Sequence, residues 1–343
     1  MTGITHRYGL ACFCLAAALP AMAAIAAPLG VTLKGHSVRI AELPTEPLRN
    51  TRRLETGEGQ SLVAVDTGGR MSILGTHGQA LAVGEGRVAD AALLRLKGEA
   101  GPQSYAMWVG PRGIGFLRLD AGQAEASVIR VSAPREADAM GAVRLAAAED
   151  GSGGAIILLG TASGGLSALS MQPQGESPRL ESARNWTLGG PIKAMTARGP
   201  HAYIIATTGL WSLDLSADSP EPVLEAAGRS GCLDASRDIG GLALIKDGPR
   251  SIVAVAQPAI ERIVAYQSGP GPDACLGFVH VVHASDPEGM DTIVPSGMVA
   301  GAGASLLVSD ADRPEVFGVP HLPDAFPVMP ETLAAGGQAA GMR

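Results

Sequence analysis

The strongest constraint on the fold of this chain is an internal repeat of about 50 residues. Two short apolar strands joined by a tight turn recur six times, and the first strand of each pair begins at residue 61, 104, 155, 202, 251 or 305. A single period through most of a chain is typical of a repeat architecture. The strand pairs are residues 61–66 with 70–75, 104–109 with 113–120, 155–160 with 165–171, 202–207 with 209–215, 251–257 with 261–267, and 305–310 with 315–320.

Each repeat holds about four short strands. A further apolar stretch precedes every pair after the first, and glycine-rich turns such as Thr67-Gly68-Gly69 separate the paired strands. A four-stranded sheet cannot bury both faces alone, whereas sheets stacked radially cover one another and leave only short edges. The sequence therefore predicts an all-β fold, a six-bladed β-propeller with about four antiparallel strands per blade. The alternatives are a pair of β-sandwiches, which lack one long period, and a β-helix, whose period is shorter.

Composition limits how the blades pack and which partners they meet. Aromatic residues make up only 3% of the chain, so Val, Ile, Leu and Ala must fill the contacts between blades. The 33 acidic side chains exceed the 26 basic ones, for a net charge of −7. Such a surface repels nucleic acid and anionic membranes, so no nucleic-acid partner is expected. No segment after the N-terminal leader approaches the length of a membrane span.

The first 27 residues have the regions of a secretory signal peptide. His6 and Arg7 precede an apolar run that ends in small-x-small cleavage sites near residue 26. A membrane anchor is the alternative, but Pro20 and the alanine-rich end favour cleavage. The sequence thus predicts a signal peptide at 1–27, a single propeller domain at 28–322 and a flexible tail at 323–343. The expected location is periplasmic or secreted, and the style of the leader indicates a bacterial source.

The predicted mature chain contains one pair of cysteines, Cys232 and Cys275. In an oxidising compartment an even pair predicts a disulfide. Closing a loop of this size stabilises a fold by about 4 kcal/mol in the chain-entropy treatment. Two unrelated buried thiols are the alternative.

Short motifs in four of the repeats share their order and spacing with those of a known family. They are 61–66 with Gly69-Arg70-Met71 and Gly86-Arg87, 191–195 with 202–205 and 210–213, 238–242 with 251–254, and Phe278-Val279 with Asp291-Thr292, 306–308 and 317–320. On these motifs, over residues 35–322, the chain resembles the β-propeller phytases. These are secreted six-bladed enzymes that use several calcium ions to hydrolyse inositol hexakisphosphate. The resemblance implies a phosphoric monoester hydrolase of the 3-phytase kind, with calcium as cofactor and an inositol phosphate as ligand.

At the positions that match the family's metal ligands, this chain lacks most of the carboxylates. Lys193 and Gly240 stand where the family has glutamates, and Thr207-Thr208 replace an acidic pair. Calcium is held by several oxygen ligands at once. Calcium therefore follows from the resemblance alone, and the residues themselves support no cofactor. The sequence predicts a phytase-like protein that is weakly active or inactive, and it assigns no catalytic residue.

Five charged residues near the starts of predicted inner strands are the candidate ligand-binding site. Because these strands line the channel of a propeller, the five side chains are expected to converge on one face. Arginine and lysine there would bind a small anion such as an inositol phosphate or another phosphate ester. The alternative is that they are solvated turn residues. The five are Arg87, Asp90, Lys193, Asp238 and Asp291.

The turn between the two strands of the last pair is a candidate metal site. Asp310 and Asp312, with Glu315, are candidates to hold one calcium ion, although the further ligands and the glycine of a calcium loop are missing. A turn that closes the last hairpin is the alternative. His280 and His283 are three apart on a predicted strand, so they face opposite ways and form no shared metal site.

Two classes of function remain from the sequence. One is a phytase-family phosphohydrolase, weakly active or acting beside a complete phytase domain. The other is a non-catalytic extracytoplasmic propeller that binds a ligand or another protein on its channel face. The loss of carboxylates favours the second on chemical grounds.

Overall fold

The structure is a computed structural model that describes most of the repeat region. The predicted signal peptide and residues 327–343 of the predicted tail lie outside the described residues, so both stay predictions. No helix in the described part of the chain is long and apolar enough to cross a membrane. The described residues are 29–37, 51–56, 62–74, 80–83, 87–98, 101–111, 113–119, 128–130, 141–150, 152–172, 179–229, 232–247, 250–268, 275–286, 288, 291–301, 305–319 and 322–326.

Four of the sheets each contain four antiparallel strands that follow one another along the chain, and we call them blades 1 to 4. A separate strand, β1 (Leu29–Ser37), precedes them. Blade 1 contains β2 (Thr51–Thr56), β3 (Leu62–Asp66), β4 (Met71–Leu74) and β5 (Ala80–Val83). Blade 2 contains β6 (Asp90–Gly98), β7 (Gly101–Gly110), β8 (Gly113–Arg118) and β9 (Val128–Arg130). Blade 3 contains β10 (Ala142–Glu149), β11 (Ala155–Thr161), β12 (Gly165–Gln172) and β13 (Arg179–Thr187), and blade 4 contains β14 (Ile192–Arg198), β15 (His201–Ala206), β16 (Gly209–Asp214) and β17 (Val223–Ala227).

The remaining strands form one eight-stranded sheet, which we call the joint sheet. Strand β1 lies in its middle, parallel to one neighbour over Leu29–Gly35 and antiparallel to the other at His36 and Ser37. The N-terminal strand thereby ties together two meanders from the C-terminal part of the chain. The first meander is β18 (Gly241–Asp247), β19 (Arg250–Gln257), β20 (Arg262–Gln267) and β21 (Cys275–His283), and the second is β22 (Pro295–Ala300), β23 (Leu306–Asp310) and β24 (Val316–Val319).

The sheets are arranged as a β-propeller. The first strands of successive meanders contact one another in the order β2, β6, β10, β14, β18 and β22, and β22 contacts β2. The predicted all-β propeller is confirmed. The predicted count of six separate blades is not confirmed, because the described strands form five hydrogen-bonded sheets.

Apolar cores lie between the faces of successive sheets. Between blades 2 and 3, for example, Phe116 packs with Leu145 and Leu159. Most of the other buried residues are Val, Ile, Leu and Ala, as the low aromatic content predicts. The core also reaches past the predicted domain end at residue 322, because Phe326 follows a short 3-10 helix (Leu322–Ala325) and is 1% exposed in the core of the joint sheet. Phe326, which lies in the segment that the sequence assigns to the tail, thus belongs to this core.

One end of the propeller, here called the upper face, collects two kinds of connection. Each meander begins there, and its second strand ends there, because neighbouring strands are antiparallel. The links between blades and the turns between second and third strands therefore meet at this face. It contains every candidate ligand-binding residue of the sequence analysis.

Candidate functional site

Hydrogen bonds between links and turns fix the backbone of the upper face. The amide of Val88 donates to the carbonyl of Gly69 at 2.8 Å, and the amide of Leu188 donates to Gly164 at 2.9 Å. In both turns a side chain accepts from the backbone, Asp66 in blade 1 and Thr161 in blade 3. The turn of one blade therefore positions the link that leads into the next.

A cleft of about 460 Å³ opens on the upper face between blades 1, 2 and 3. We call it the upper cleft. Its apolar lining is supplied by the link into blade 2 and by strands of blades 2 and 3. The lining residues are Thr67, Gly68, Gly69, Arg87, Val88, Ala89, Val109, Gly110, Pro111, Gly113, Ile114, Gly141, Ala142, Val143, Arg144 and Leu159.

Glycine at position 69 lets the first turn approach the link closely. Gly69 has a φ of +81°, which side chains rarely adopt. A Cβ atom there would lie 3.0 Å from the Cβ of Arg87 and 3.0 Å from the carbonyl oxygen of Val88. The glycine therefore allows Arg87 to sit directly against the turn at the edge of the upper cleft.

Arg87 and Arg144 are the only charged residues among the described lining of the upper cleft. Arg87 is exposed, and within the described residues its guanidinium makes no hydrogen bond or ion pair. Arg144 is half-buried, and it donates from Nη1 to the carbonyl of Val143 at 2.7 Å and from Nε to the carbonyl of Lys193. The cleft thus combines an apolar floor with two guanidinium groups.

β-Bulges help to place the residues at the start of the inner strands. The register of β10 against β11 shifts between Ala142 and Arg144, and that of β14 against β15 shifts between Ile192 and Ala194. A bulge adds one residue to a strand and re-aims nearby side chains. The extra residues here are Val143, which lines the upper cleft, and Lys193.

Lys193, predicted as an anion ligand, is already engaged by the protein. Its Nζ donates to the carbonyl of Ser236 at 3.1 Å and to the carbonyl of Arg237 at 2.7 Å. Its own carbonyl accepts from Arg144. Lys193 therefore links the cleft arginine to the segment before β18, and it does not line the upper cleft.

Asp90 has a structural role at the start of β6. The residue is 4% exposed, and its carboxylate accepts from the amide of Ala91 at 3.0 Å and from the amide of Leu145 at 2.9 Å. Leu145 lies on the inner strand of the next blade. The carboxylate therefore joins two inner strands beneath the upper cleft.

Asp291 and Asp310 are brought together through two residues that the sequence analysis did not assign to the site. Nε2 of His283 lies 3.4 Å from Oδ2 of Asp310, and its Nδ1 lies 3.3 Å from Nη1 of Arg313. Nη2 of Arg313 donates to Asp291 at 2.5 Å. Because a guanidinium only donates, Nδ1 of His283 accepts from Arg313.

Asp310 is turned inward, away from the solvent. It is 1% exposed, and its Oδ1 accepts from the amides of Val294 at 3.2 Å and Asp312 at 3.1 Å. Asp312 and Asp238 are exposed. Among the described residues, no three His, Cys, Asp or Glu side chains are grouped to hold a metal ion. Calcium binding by Asp310 and Asp312 stays a prediction, and the contacts of Asp310 match the alternative of a turn that closes the last hairpin.

The predicted disulfide is confirmed. Cys232 and Cys275 are bonded, with their Cα atoms 6.3 Å apart. The bond ties the segment that follows blade 4 to the last strand of the first meander of the joint sheet. His280 and His283 also separate as expected, since Nδ1 of His280 donates to the carbonyl of Glu261 while His283 is buried.

The comparisons with known proteins identify no family for this chain. No protein-family model matches the chain, and no curated protein matches it. Solved structures that resemble it are β-propellers of different kinds. BBS1N in complex with ARL6DN shares 10% identity over 76% of this chain and 75% of that one, with a TM-score of 0.47. Streptogramin B lyase shares 12% identity over 83% of this chain and 96% of that one, with a TM-score of 0.43. The C-terminal WD40 domain of Sif2 shares 12% identity over 78% of this chain and 69% of that one, with a TM-score of 0.42.

Sequence reasoning found Arg87 and missed Arg144. The missed signal was the sequence Gly141-Ala142-Val143-Arg144, which opens an inner strand as Pro191-Ile192-Lys193 opens the next. The same rule that selected Lys193 would have selected Arg144. His283 and Arg313 had no local signal, because their roles depend on contacts between distant segments.

Proposed function

We propose that this chain is a non-catalytic β-propeller that binds a compact organic anion in the upper cleft. The observation that carries the proposal is a cleft of about 460 Å³ with an apolar floor and two arginines as its only charged described residues. Pockets for small molecules commonly measure about 300–1,000 Å³ and combine apolar walls with a few polar groups. The upper cleft has that size and that composition.

The charge of the cleft favours an anion. A guanidinium presents several N–H donors in a flat fork that matches a carboxylate or a phosphate. Arg87 has those donors available, since it makes no hydrogen bond or ion pair within the described residues. The apolar floor, which includes Val109, Ile114 and Leu159, favours a ligand that also has an apolar body.

Binding is favoured over catalysis by what the described lining lacks. General acid–base catalysis needs a side chain that takes up or releases a proton near neutral pH. The described lining of the upper cleft contains no histidine, carboxylate or cysteine, and its one hydroxyl group belongs to Thr67. The proposed role is therefore recognition of an anion.

The phytase-like interpretation stays a prediction beside this proposal. Inositol hexakisphosphate is an anion but has no apolar body, so it fits the charge of the cleft and not its floor. Release of phosphate from it, measured with calcium and with a chelator, tests activity directly. Secretion and an extracytoplasmic protein partner, including a complete phytase domain, likewise remain predictions.

We also propose that the joint sheet serves as two blades, so that six blades surround the channel. The joint sheet consists of two meanders that meet at β1. An apolar core that includes Ile245, Val281 and Phe317 lies within it, as expected if the two meanders pack against each other as neighbouring blades. The first strands of six meanders also contact one another in a closed ring. A crystal structure counts the blades directly, and five blades around the channel would overturn the proposal.

Calorimetric titration of the purified protein tests the binding site. Phenyl phosphate has both an anionic head and an apolar body, inorganic phosphate has only the charge, and benzyl alcohol has only the body. We expect phenyl phosphate to bind most tightly and Arg87→Ala to weaken its binding at least tenfold. Arg179→Ala is the matched control, because Arg179 pairs with Glu181 at the exposed surface of blade 3. No binding of phenyl phosphate, or equal binding by Arg87→Ala and the unmodified protein, would contradict the proposal.

A further inference from the structure

A short loop between blade 4 and the joint sheet is held at its start by the disulfide. We call residues 232–238 the tethered loop. Nη2 of Arg262 donates to the carbonyl of Cys232 at 2.8 Å, and Nε2 of Gln257 donates to the carbonyl of Asp234 at 3.1 Å. The tethered loop is thus anchored to β19, β20 and β21.

The far end of the tethered loop reaches the residues of the upper cleft. Its carbonyls at Ser236 and Arg237 hold the ammonium group of Lys193. The carbonyl of Lys193 in turn accepts from Nε of Arg144, which lines the upper cleft. The chain of the tethered loop and the contacts of Lys193 therefore connect the disulfide to a cleft arginine.

We infer that the tethered loop positions Arg144 through Lys193, so that the Cys232–Cys275 disulfide sets the affinity of the upper cleft for its anion. The inference rests on the proposed function of that cleft. Without the disulfide, the polar end of the loop loses its covalent anchor. Lys193 then no longer holds one position, and the guanidinium of Arg144 loses one of the two carbonyls to which it is seen to donate.

The loop can loosen without unfolding the propeller. Leu233 and Ala235 are buried in the apolar core between blade 4 and the joint sheet, and they keep the loop attached. Its polar end, with Ser236 and Arg237, is exposed. Reduction is therefore expected to change the position of that end and to leave the core packed.

The redox step needs a dithiol reductant, and Cys275, which is partly exposed, gives it access. One thiolate of the reductant attacks a sulfur of the disulfide and forms a mixed disulfide, and its second thiol resolves this intermediate. The S–S bond of the protein breaks, two cysteine thiols form with two electrons and two protons from the reductant, and the reductant becomes a cyclic disulfide.

The affinity test combines reduction with a variant of Lys193. Phenyl phosphate is titrated into the oxidised protein, the dithiol-reduced protein, and both redox forms of Lys193→Met. We expect reduction to weaken binding at least fivefold in the unmodified protein and to have no further effect in Lys193→Met. The inference would be overturned if reduction weakened binding by the same factor in Lys193→Met as in the unmodified protein. Equal binding by the oxidised and reduced forms of the unmodified protein would also overturn it. Cys232→Ala/Cys275→Ala should bind like the reduced protein and ignore the reductant.

A second readout needs no ligand. Hydrogen exchange is measured by NMR at the amides of Ala235 and Arg237 and at the Nε–H group of Arg144, with the amide of Ala106 in blade 2 as reference. Reduction should speed exchange at all three relative to Ala106, and Lys193→Met should speed it at Nε of Arg144. Faster exchange confined to Ala235 and Arg237 would overturn the inference. If phenyl phosphate does not bind while the exchange pattern holds, the proposed function fails and the coupling of the loop to Arg144 stands.

Discussion

Two parts of the upper face carry charged side chains, and the two use them differently. At the upper cleft the charges are cations, and Arg87 has no hydrogen bond or ion pair within the described residues. At the joint sheet, His283 lies between Asp310 and Arg313, and Arg313 binds Asp291. The first region leaves the guanidinium of Arg87 exposed, whereas in the second region the charged side chains contact one another.

A charged residue at the start of an inner strand is therefore a binding candidate only if neighbouring groups of the protein do not already form hydrogen bonds or ion pairs with it. A carboxylate that is taken from water must be hydrogen-bonded, because an unpaired buried charge is very costly. Asp90 and Asp310 are bonded in this way to backbone amides. Arg87 is exposed and keeps its donors.

The largest expected effect is a loss of stability in Asp310→Ala. The change leaves two backbone amides without their acceptor and the buried His283 without its carboxylate, so the free energy of unfolding should fall by about 3 kcal/mol in urea denaturation. Asp312→Ala, at an exposed position, is the control and should change it by less than about 0.5 kcal/mol. Weaker binding of phenyl phosphate by Asp310→Ala would show that the two regions are not independent.

A second prediction separates backbone strain from crowding at the upper cleft. Gly69→Ala places a Cβ against Arg87 and Val88 at a φ of +81°, so it should lower the free energy of unfolding by about 2 kcal/mol and also weaken phenyl phosphate binding. Gly199→Ala is the matched control, since Gly199 has a φ of +58°, does not line the upper cleft, and has only Nζ of Lys246, at 3.9 Å, within 4 Å of the added Cβ. It should cost about 1 kcal/mol of backbone strain and leave Arg87 in place. Equal binding losses in the two variants would argue against the positioning of Arg87 by the turn.

Arg313→Ala should lower stability without changing affinity, whereas Arg87→Ala should weaken binding. Arg313 pairs with Asp291, and both side chains are about two-fifths exposed, so its loss should lower stability by at most about 1 kcal/mol in urea denaturation. The affinity for phenyl phosphate should not change. If Arg313→Ala abolished binding and Arg87→Ala did not, the anion would bind beside Arg313 and not in the upper cleft, contrary to the proposal.

The smallest expected effect is a dependence on pH in the tethered loop, which lies between the two regions. Hydrogen bonds from the Ser236 hydroxyl and from Arg237 lower the pKa of Asp234 from 3.8 to about 2. Because this pKa is depressed, the charged form of Asp234 contributes fully to the stability of the fold at a pH above the ordinary pKa of 3.8. That stability is lost as the pH falls toward about 2. A carbon NMR titration of its carboxyl group should show the low midpoint, and Arg237→Ala should raise it. A midpoint near 3.8 in the unmodified protein would contradict these contacts.

Much of the fold could be predicted because the repeat is local. The predicted strand at 61–66 is β3 (Leu62–Asp66), and the one at 155–160 is β11 (Ala155–Thr161). The position of β1 could not be predicted in the same way. Its partners β21 and β24 lie near the other end of the chain, so their pairing with β1 cannot be recognised from the sequence of the repeat.

The site was only partly predictable because burial and partners are properties of the packed chain. Lys193 and Asp90 looked like Arg87 in the sequence, yet a neighbouring segment engages the first and a neighbouring blade encloses the second. The disulfide could be predicted, since the two cysteines that follow the predicted signal peptide allow one pairing. Its link to Arg144 through Lys193 required the contacts of the fold.

A crystal structure with 4-bromophenyl phosphate tests the central claim most directly, because anomalous scattering from bromine locates the ligand without reference to the protein. The account predicts one bromine peak over the apolar floor of the upper cleft, with the phosphate against Arg87 and Arg144. A peak beside Arg313 and Asp291, or no peak in a crystal that diffracts well, would contradict it.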